Sequence, residues 1–232
     1  MQKINYISRN ENWIACEEIH PKPITEYVPK WFQDIPNANQ YDYRTVKTCP
    51  AFIDIYSEGF VVLAPQDYEF TYDKENETFN WKTGQRLLEG RYDEVDDHLN
   101  EQFLHLYKDH DYKIILKLNM PYYIITPPGY SIRQYGIPYS SNENWDTTHG
   151  TFKADVVHEM NIHVMIKTLK DFKIKQGEPL AVQVPFKRED YTTEVSHIDE
   201  APKDIKKRFL SSELLLHGKM EKRYWRNKFH KK

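Results

Sequence analysis

The sequence has few cysteines and no long apolar run. Its 232 residues include only two cysteines, Cys16 and Cys49, and their spacing gives neither a metal-binding pair nor a disulfide framework. No apolar stretch reaches the length that a membrane-spanning helix requires, and the polar N-terminal segment MQKINYISRNENW lacks the features of a signal peptide. We therefore expect a cytoplasmic protein that is made in a reducing compartment and does not contact a membrane.

Aromatic and charged residues are abundant instead. Aromatic side chains make up 14% of the chain, with 17 tyrosines and 5 tryptophans, and such residues suit half-exposed sheet surfaces and interfaces. The net charge is only −3, but residues 201–232 carry eleven Lys or Arg against three Asp or Glu, whereas residues 1–200 are acidic overall. A basic tail on an acidic body indicates a polyanionic or acidic partner, and nucleic acid is a candidate partner of the tail.

Residues 151–189 carry the clearest structural pattern. From 154 to 166 the even positions are apolar apart from His158, and the odd positions are mostly polar. Because successive side chains of a strand point to opposite faces, this alternation predicts a half-buried strand; a helix would scatter the apolar residues around its axis. A turn at Gly177 and a second alternating run over 180–186 complete an antiparallel β unit with one solvated face.

Short strands separated by turn residues are predicted over much of the remaining chain. The pattern predicts strands at 3–7, 13–16, 51–56, 60–64, 68–72 and 112–137 (with a break at 119–121), a hairpin or loop at 73–84, a rigid Pro-Pro-Gly turn at 126–130 and a polar loop at 139–151. Four prolines around Trp31 and Phe32 predict an extended surface arm at 19–36, which is either a clasp packed on the body or an interaction motif.

Two segments carry helical patterns. An apolar stripe predicts a helix over 93–107, and the chain from 202 onwards predicts a helical tail that breaks near Gly218. The stripe consists of Val95, Leu99, Phe103 and Leu106. The fold class that follows is mostly β: an antiparallel β-sandwich or jelly-roll-like barrel with one embedded helix and a C-terminal helical tail. We expect a single β-rich domain over 1–198 and a basic helical tail over 199–232.

Four segments together resemble an uncharacterised family of β-rich proteins found in tailed phages and bacteria. They are CPAFIDIYSEGFVVLAPQDYEF, KLNMPYYIITPPGYSI, FKADVVHEMNI and KIKQGEPLAVQVPFKRE, and the resemblance covers about residues 20–190. It implies a β-rich fold and a phage-type origin, in which case the protein resides in the host cytoplasm or the virion. The family has no established activity that the resemblance could transfer.

A second resemblance is to trimeric dUTP-hydrolysing enzymes. It implies weak catalytic candidates in Asp155 and Asp54, which would orient water and place Mg²⁺ against phosphates. The sequence departs from that family at its Arg-Ser-Gly phosphate-binding element, because Arg133 is followed here by Gln-Tyr-Gly. The matching positions are Asp54, Pro128, Gly129, Tyr130, Asp155, Gly177, Glu178, Ala181 and Gln183. The candidate ligand-pocket residues are Tyr130, Arg133, His158 and Gln183.

A third interpretation is a metal centre in a cupin-like, iron-dependent oxygenase. His149, Asp155, His158 and His163 are the residues that suggest it. Strand parity places His158 on the apolar face and both Asp155 and His163 on the other face, so these residues do not form one ligand set. We therefore predict no metal site and no cofactor, with His158 as a weak candidate ligand; Mg or Fe arises only under the two enzyme alternatives.

The leading functional hypothesis is a phage-type accessory protein that acts by binding, as an assembly component or a ligand-binding module. Protein partners or self-assembly fit this hypothesis, and cations interleaved with aromatics in the tail are candidate contacts for a polyanion or partner. These tail residues are Lys222, Arg223, Trp225, Arg226 and Lys228. The alternative for the tail is a solvated helix. An enzyme should bring Asp54, Asp155 or His158 together in a pocket, whereas a binding protein should present an aromatic patch without converging carboxylates.

Overall fold

Antiparallel strands make up most of the regular secondary structure of the computed structural model, which describes residues 2–36, 45–84, 93–97, 102–103 and 112–217. Contacts divide the chain into a first unit, residues 1–188, and a second unit, residues 189–232. The helices described in the first unit are α1 (Glu11–Ala15), α2 (Lys30–Asp34) and α3 (Pro50–Asp54), and the second unit contains α4 (Lys203–His217). None of the helices in the described ranges has the length and apolar character needed to cross a membrane.

The described strands belong to the first unit. In chain order they are β1 (Asn5–Ile7), β2 (Lys22–Pro23), β3 (Phe60–Leu63), β4 (Tyr68–Asp73), β5 (Thr78–Thr83), β6 (Val95–Asp97), β7 (Ile114–Ile125), β8 (Tyr130–Tyr135), β9 (Trp145–Thr147), β10 (Gly150–Phe152), β11 (Glu159–Ile166), β12 (Phe172–Ile174) and β13 (Pro179–Lys187). Short 3-10 turns connect some of them, at Glu17–Ile19, Ile24–Glu26 and Val46–Thr48.

These strands form two larger sheets and a smaller one. The first sheet has the order β1-β7-β11-β9, with β6 also paired to β7; the second has the order β10-β8-β13-β3-β2; and the third has the order β12-β4-β5. One hydrophobic cluster contains residues of all three sheets, for example Ile162, Ile132 and Phe70. The fold is therefore a mostly β, sandwich-like arrangement, as the sequence predicts, and the sheets formed by the described residues do not close into a barrel.

The alternation of apolar residues around 160 is confirmed where the strand exists. Met160, Ile162, Val164 and Ile166 are all buried in the core. The strand begins at 159 rather than 154, because residues 154–156 form a turn in which the N–H groups of Val156 and Val157 bond to the carbonyl of Lys153.

The predicted break at 119–121 is wrong, since β7 runs through it without interruption. The irregularity lies instead in the pairing of β7 with β11: Asn161 is opposite Asn119, whereas Glu159 is opposite Tyr123. This shift in register accommodates Pro121, which has no N–H to donate to a neighbouring strand.

Two predicted strands and the start of a predicted helix have a different secondary structure. Residues 13–15 belong to α1 and Cys16 is its C-cap; the first turn of α1 is capped by the Asn10 side chain, which accepts a bond from the N–H of Trp13. The predicted strand at 51–56 is instead α3, which Pro50 starts at its first turn. The predicted helix at 93–107 is a strand at its start, because Val95 pairs with Leu118 and is fully buried, whereas Gln102 and Phe103 are helical as predicted; positions 98–101 and 104–107 lie outside the described residues.

The second unit contains an extended segment followed by α4. Tyr191 and Val195 are almost fully exposed in the extended segment. The predicted break near Gly218 and the rest of the tail lie outside the described residues. The predicted division into a domain of 1–198 and a tail of 199–232 stays a prediction.

Candidate functional site

Asp155, one of the two carboxylate candidates, is held in an ion pair with Arg188. Arg188 Nη1 lies 2.8 Å from Asp155 Oδ1 and Nη2 lies 2.5 Å from Oδ2, while the N–H of Gly129 donates to Oδ2 at 2.8 Å. The same guanidinium donates to the carbonyl of Tyr130 at 2.8 Å and to Ser131 Oγ at 3.1 Å. The Arg188 contact, followed by the Gly129 N–H, holds the pKa of Asp155 well below its usual range. The pair joins the Pro-Pro-Gly turn to the end of β13.

Asp54, the other carboxylate candidate, lies near the opposite end of β8. Asp155 contacts the turn that precedes Tyr130, whereas Ile55, the residue after Asp54, lines a cleft together with Tyr135. Tyr130 and Tyr135 are five residues apart in a strand, a separation of about 17 Å. The structure therefore does not bring the two carboxylates together.

Gln183, a predicted pocket residue, lies inside the core and is fully buried. Its Oε1 accepts a bond from the Tyr6 hydroxyl at 3.3 Å, and its Nε2 donates to Gln134 Oε1 at 3.0 Å and contacts Met160 Sδ at 3.1 Å. All polar atoms of the amide thus have a partner within the protein, which makes Gln183 a bridge between buried side chains of the two large sheets.

The histidines are dispersed. His158 Nδ1 lies 2.9 Å from the carbonyl of Ala154 and so stabilises the turn before β11. The ring of His163 contacts Phe103, with centroids 6.0 Å apart, and His149 lines the cleft. In the part of the chain that the structure describes, no three His, Cys, Asp or Glu side chains are grouped as a metal site would require.

The cleft beyond the end of β8 has a volume of about 760 Å³. Its walls are the segment from Arg133 to Tyr139 and the segments around Asp146 and His149. Arg133 is exposed, with its guanidinium 5.2 Å from the ring centre of Phe186. At Gly136 a Cβ atom would lie 2.5 Å from Asp146 Oδ1, so glycine is what lets this carboxylate approach the backbone.

Aromatic rings from three separate segments meet at the mouth of this cleft. Tyr139 is stacked on Phe52, with centroids 4.8 Å apart, and meets the Trp31 ring edge-on at 6.0 Å. Tyr139 is 55% exposed and Trp31 39% exposed, whereas Phe32 and Tyr56 are buried beneath them. We call Trp31, Phe52 and Tyr139 the aromatic cluster. The arm at 19–36 thus packs on the body through Phe32 and leaves Trp31 at the surface.

The backbone at Tyr139 is in an unusual conformation. Its φ of 53° lies in the left-handed region, which residues other than glycine, asparagine and aspartate rarely adopt. The preceding residue is fixed, because the Tyr56 hydroxyl donates to the carbonyl of Pro138 at 2.9 Å. Burial, with a smaller contribution from Tyr139, raises the pKa of Tyr56 to about 12, so the hydroxyl keeps its proton for this bond. Backbone strain at an exposed residue is typical of functional sites.

A second, more polar cleft of about 560 Å³ adjoins the first, and the two share Ile137 and Asp146. Its polar lining includes Glu143, Glu178 and Lys173. Lys173 forms an ion pair with Glu69, so its charge is already compensated. We call the two clefts together the composite groove.

Sequence reasoning found some of these residues and missed others. Of the pocket residues predicted from the sequence, Arg133 lies in the groove. Tyr130 lies at the Asp155 end of β8, where its N–H bonds to the carbonyl of Pro127 at 3.1 Å. Tyr139 and Arg188 are not among the site residues that the sequence predicts. The tail candidates Lys222, Arg223, Trp225, Arg226 and Lys228 lie outside the described residues.

Comparison with known proteins gives no family assignment. The chain matches no protein-family model and no curated protein. Among solved structures it is similar to a mutant form of the dUTPase of Staphylococcus bacteriophage 80alpha, with a TM-score of 0.38 and 8% sequence identity over 88% of this chain and 99% of that chain. A TM-score of this size is too low to carry an argument about function.

Proposed function

We propose that the protein acts by binding, and that the composite groove with its aromatic cluster is the binding site. The observation that carries this proposal is Tyr139: a large ring, more than half exposed, held in a left-handed backbone conformation at the mouth of a cleft. Exposed aromatic rings beside a concave surface provide much contact area at a small cost in side-chain entropy. The role is that of an accessory protein with a protein partner, a small ligand or a second copy; the phage-type setting rests on the sequence resemblance alone.

The positions of the carboxylates favour binding over hydrolysis. A dUTPase-like hydrolase needs a carboxylate that can orient water, and both oxygens of Asp155 already accept bonds from Arg188 or Gly129. Asp54 lies at the other end of β8 and does not converge with it. The cupin-like alternative needs further ligands close to His158, and among the described residues no three His, Cys, Asp or Glu side chains are grouped in that way.

The proposal is tested by screening a library of small aromatic and amphipathic fragments against the full chain by ligand-observed NMR. The matched variant is Tyr139→Gly, which removes the ring and relieves the left-handed strain, so it should fold at least as well as the natural chain. We expect fragments that bind the natural protein and are lost in the variant. Fragment binding that is unchanged in Tyr139→Gly would refute the groove as the site, and turnover of dUTP with Mg²⁺ that Asp155→Asn abolishes would restore the hydrolase.

A further inference from the structure

The two ends of the composite groove carry opposite charges. At one end Arg133 is exposed and forms no ion pair with a described residue; its guanidinium lies 5.2 Å from the ring centre of Phe186, and His149 lines the same cleft. At the other end Glu143 is exposed and forms no ion pair within the described ranges, while Glu178 has one oxygen bonded to the N–H of Lys175. The middle is formed by Ile137 and Asp146, which line both clefts.

The charge at the point where the clefts meet is compensated internally. Asp146 Oδ2 lies 3.6 Å from Lys167 Nζ, and Asp146 Oδ1 accepts a bond from the N–H of Thr147 at 2.8 Å. The groove is therefore dipolar, with the cation of Arg133 at one end, the carboxylate of Glu143 at the other and a near-neutral middle rimmed by the aromatic cluster. A polyanion such as nucleic acid would meet Glu143 and Glu178 along its path and be repelled there.

The length of the groove fits a short extended segment of polypeptide. Arg133 and Ile137 are four residues apart in extended chain, about 13 Å, and the second cleft continues beyond Ile137. An extended peptide advances by about 3.3 Å per residue, so about five residues cover the distance from Arg133 to Ile137, and a segment of about seven residues continues into the second cleft with its end side chains at the two charged ends.

We propose, building on the binding function above, that the composite groove binds an extended peptide segment of a partner protein with a defined charge pattern. The segment carries a carboxylate side chain against Arg133, an aromatic or large apolar side chain against the aromatic cluster, and a Lys or Arg side chain against Glu143 and Glu178. Charge complementarity of this kind selects among partners more than it adds affinity.

The test uses four capped heptapeptides that differ only in the order or sign of their charged ends. The first has glutamate, two alanines, phenylalanine, two alanines and lysine in that order, and the second has the reverse order, because either chain direction could place the charges correctly. The third and fourth replace the charged ends by two glutamates or by two lysines. Affinity for the full-length protein is measured by NMR titration at low salt, where exposed charge pairs are least screened.

We expect one of the two dipolar peptides to bind about three- to fivefold tighter than either uniformly charged peptide, the size that one exposed ion pair supplies. Arg133→Glu should reverse the preference in favour of the two-lysine peptide, and Glu143→Lys in favour of the two-glutamate peptide. Lys74→Glu is the matched control: it makes the same change of charge at an exposed lysine in the turn between β4 and β5, which lines neither cleft, and should leave the preference unchanged.

Equal affinity for all four peptides would overturn the peptide proposal, and so would a reversal produced equally well by Lys74→Glu, since net charge alone would then explain it. Failure of the peptides while fragments still depend on Tyr139 would remove this inference and leave the binding function in place. Binding of a ten-residue oligothymidylate that depends on Arg133, without any preference for dipolar peptides, would replace the peptide by a nucleic acid.

Discussion

Replacing Gln183 by methionine tests whether this residue supports the core or lines a ligand pocket. Methionine has a similar volume but offers no amide, so the Tyr6 hydroxyl and Gln134 Oε1 lose the partners they have at 3.3 and 3.0 Å. A buried polar group left without a partner costs about 1–3 kcal/mol. Gln134 is buried and Tyr6 is partly buried, so we expect a loss of about 3 kcal/mol in the free energy of unfolding.

Urea unfolding followed by circular dichroism and by fluorescence measures this loss. The midpoint should fall while the slope with urea concentration stays the same, because the buried area hardly changes. For a protein of this size the melting temperature should fall by roughly 6–12 °C, at about 2–4 °C per kcal/mol.

The double variant Gln134→Met with Gln183→Met provides the control, because it removes both partners of their mutual bond. Its loss in the free energy of unfolding should be about 1–3 kcal/mol smaller than the sum of the losses in the two single variants. The reason is that neither substitution then leaves the amide of the other glutamine without its partner. A loss below about 0.5 kcal/mol in Gln183→Met, or strictly additive losses in the double variant, would refute the structural role; a change in ligand binding at unchanged stability would return Gln183 to the pocket.

Two further predictions concern the Asp155 ion pair and the glycines. The folded pKa of Asp155 is lowered, so its stabilising contribution is present above the unfolded value of about 4 and is lost as pH falls below it. The stability difference between the natural chain and Asp155→Asn, from urea unfolding, should therefore be constant from pH 5 to 8 and shrink below about pH 4; a difference that persists unchanged at pH 2 would contradict this. Gly59→Ala should be much more destabilising than Gly129→Ala, although both glycines have positive φ, because a Cβ at 59 would lie 2.6 Å from the backbone oxygen of Gln183 whereas nothing lies within 4 Å at 129. The alanine at 129 should cost about 1 kcal/mol, and equal losses at the two positions would show that φ alone decides.

The sheet structure was the part most accessible from the sequence. The alternation around Ile162 and Val164 reflects burial on one face, and burial is imposed locally by the period of a strand. The prediction of a strand at 51–56 is wrong because a run of apolar residues this short fits a helix and a strand equally well. The available signal was Pro50, which suits the first turn of a helix.

The candidate site was less accessible because its parts are distant in sequence. Asp155 and Arg188 are 33 residues apart, and nothing in the periodicity of either segment connects them. The aromatic cluster joins Trp31, Phe52 and Tyr139 from three segments, two of which precede the central strands. Sequence patterns indicate which face of an element is buried, but they do not indicate which elements meet at the ends of the sheets.

The clamp on Arg188 has a mechanical consequence. Arg188 is the last residue of the first unit, and its side chain is tied to Asp155, Tyr130 and Ser131 while its N–H bonds to the carbonyl of Gly129 at 2.8 Å. Any pull on the chain at residue 189 therefore loads these bonds before it reaches the ladder between β13 and β8. The composite groove lies toward the other end of β8, and the ladder between β13 and β8 separates it from that load.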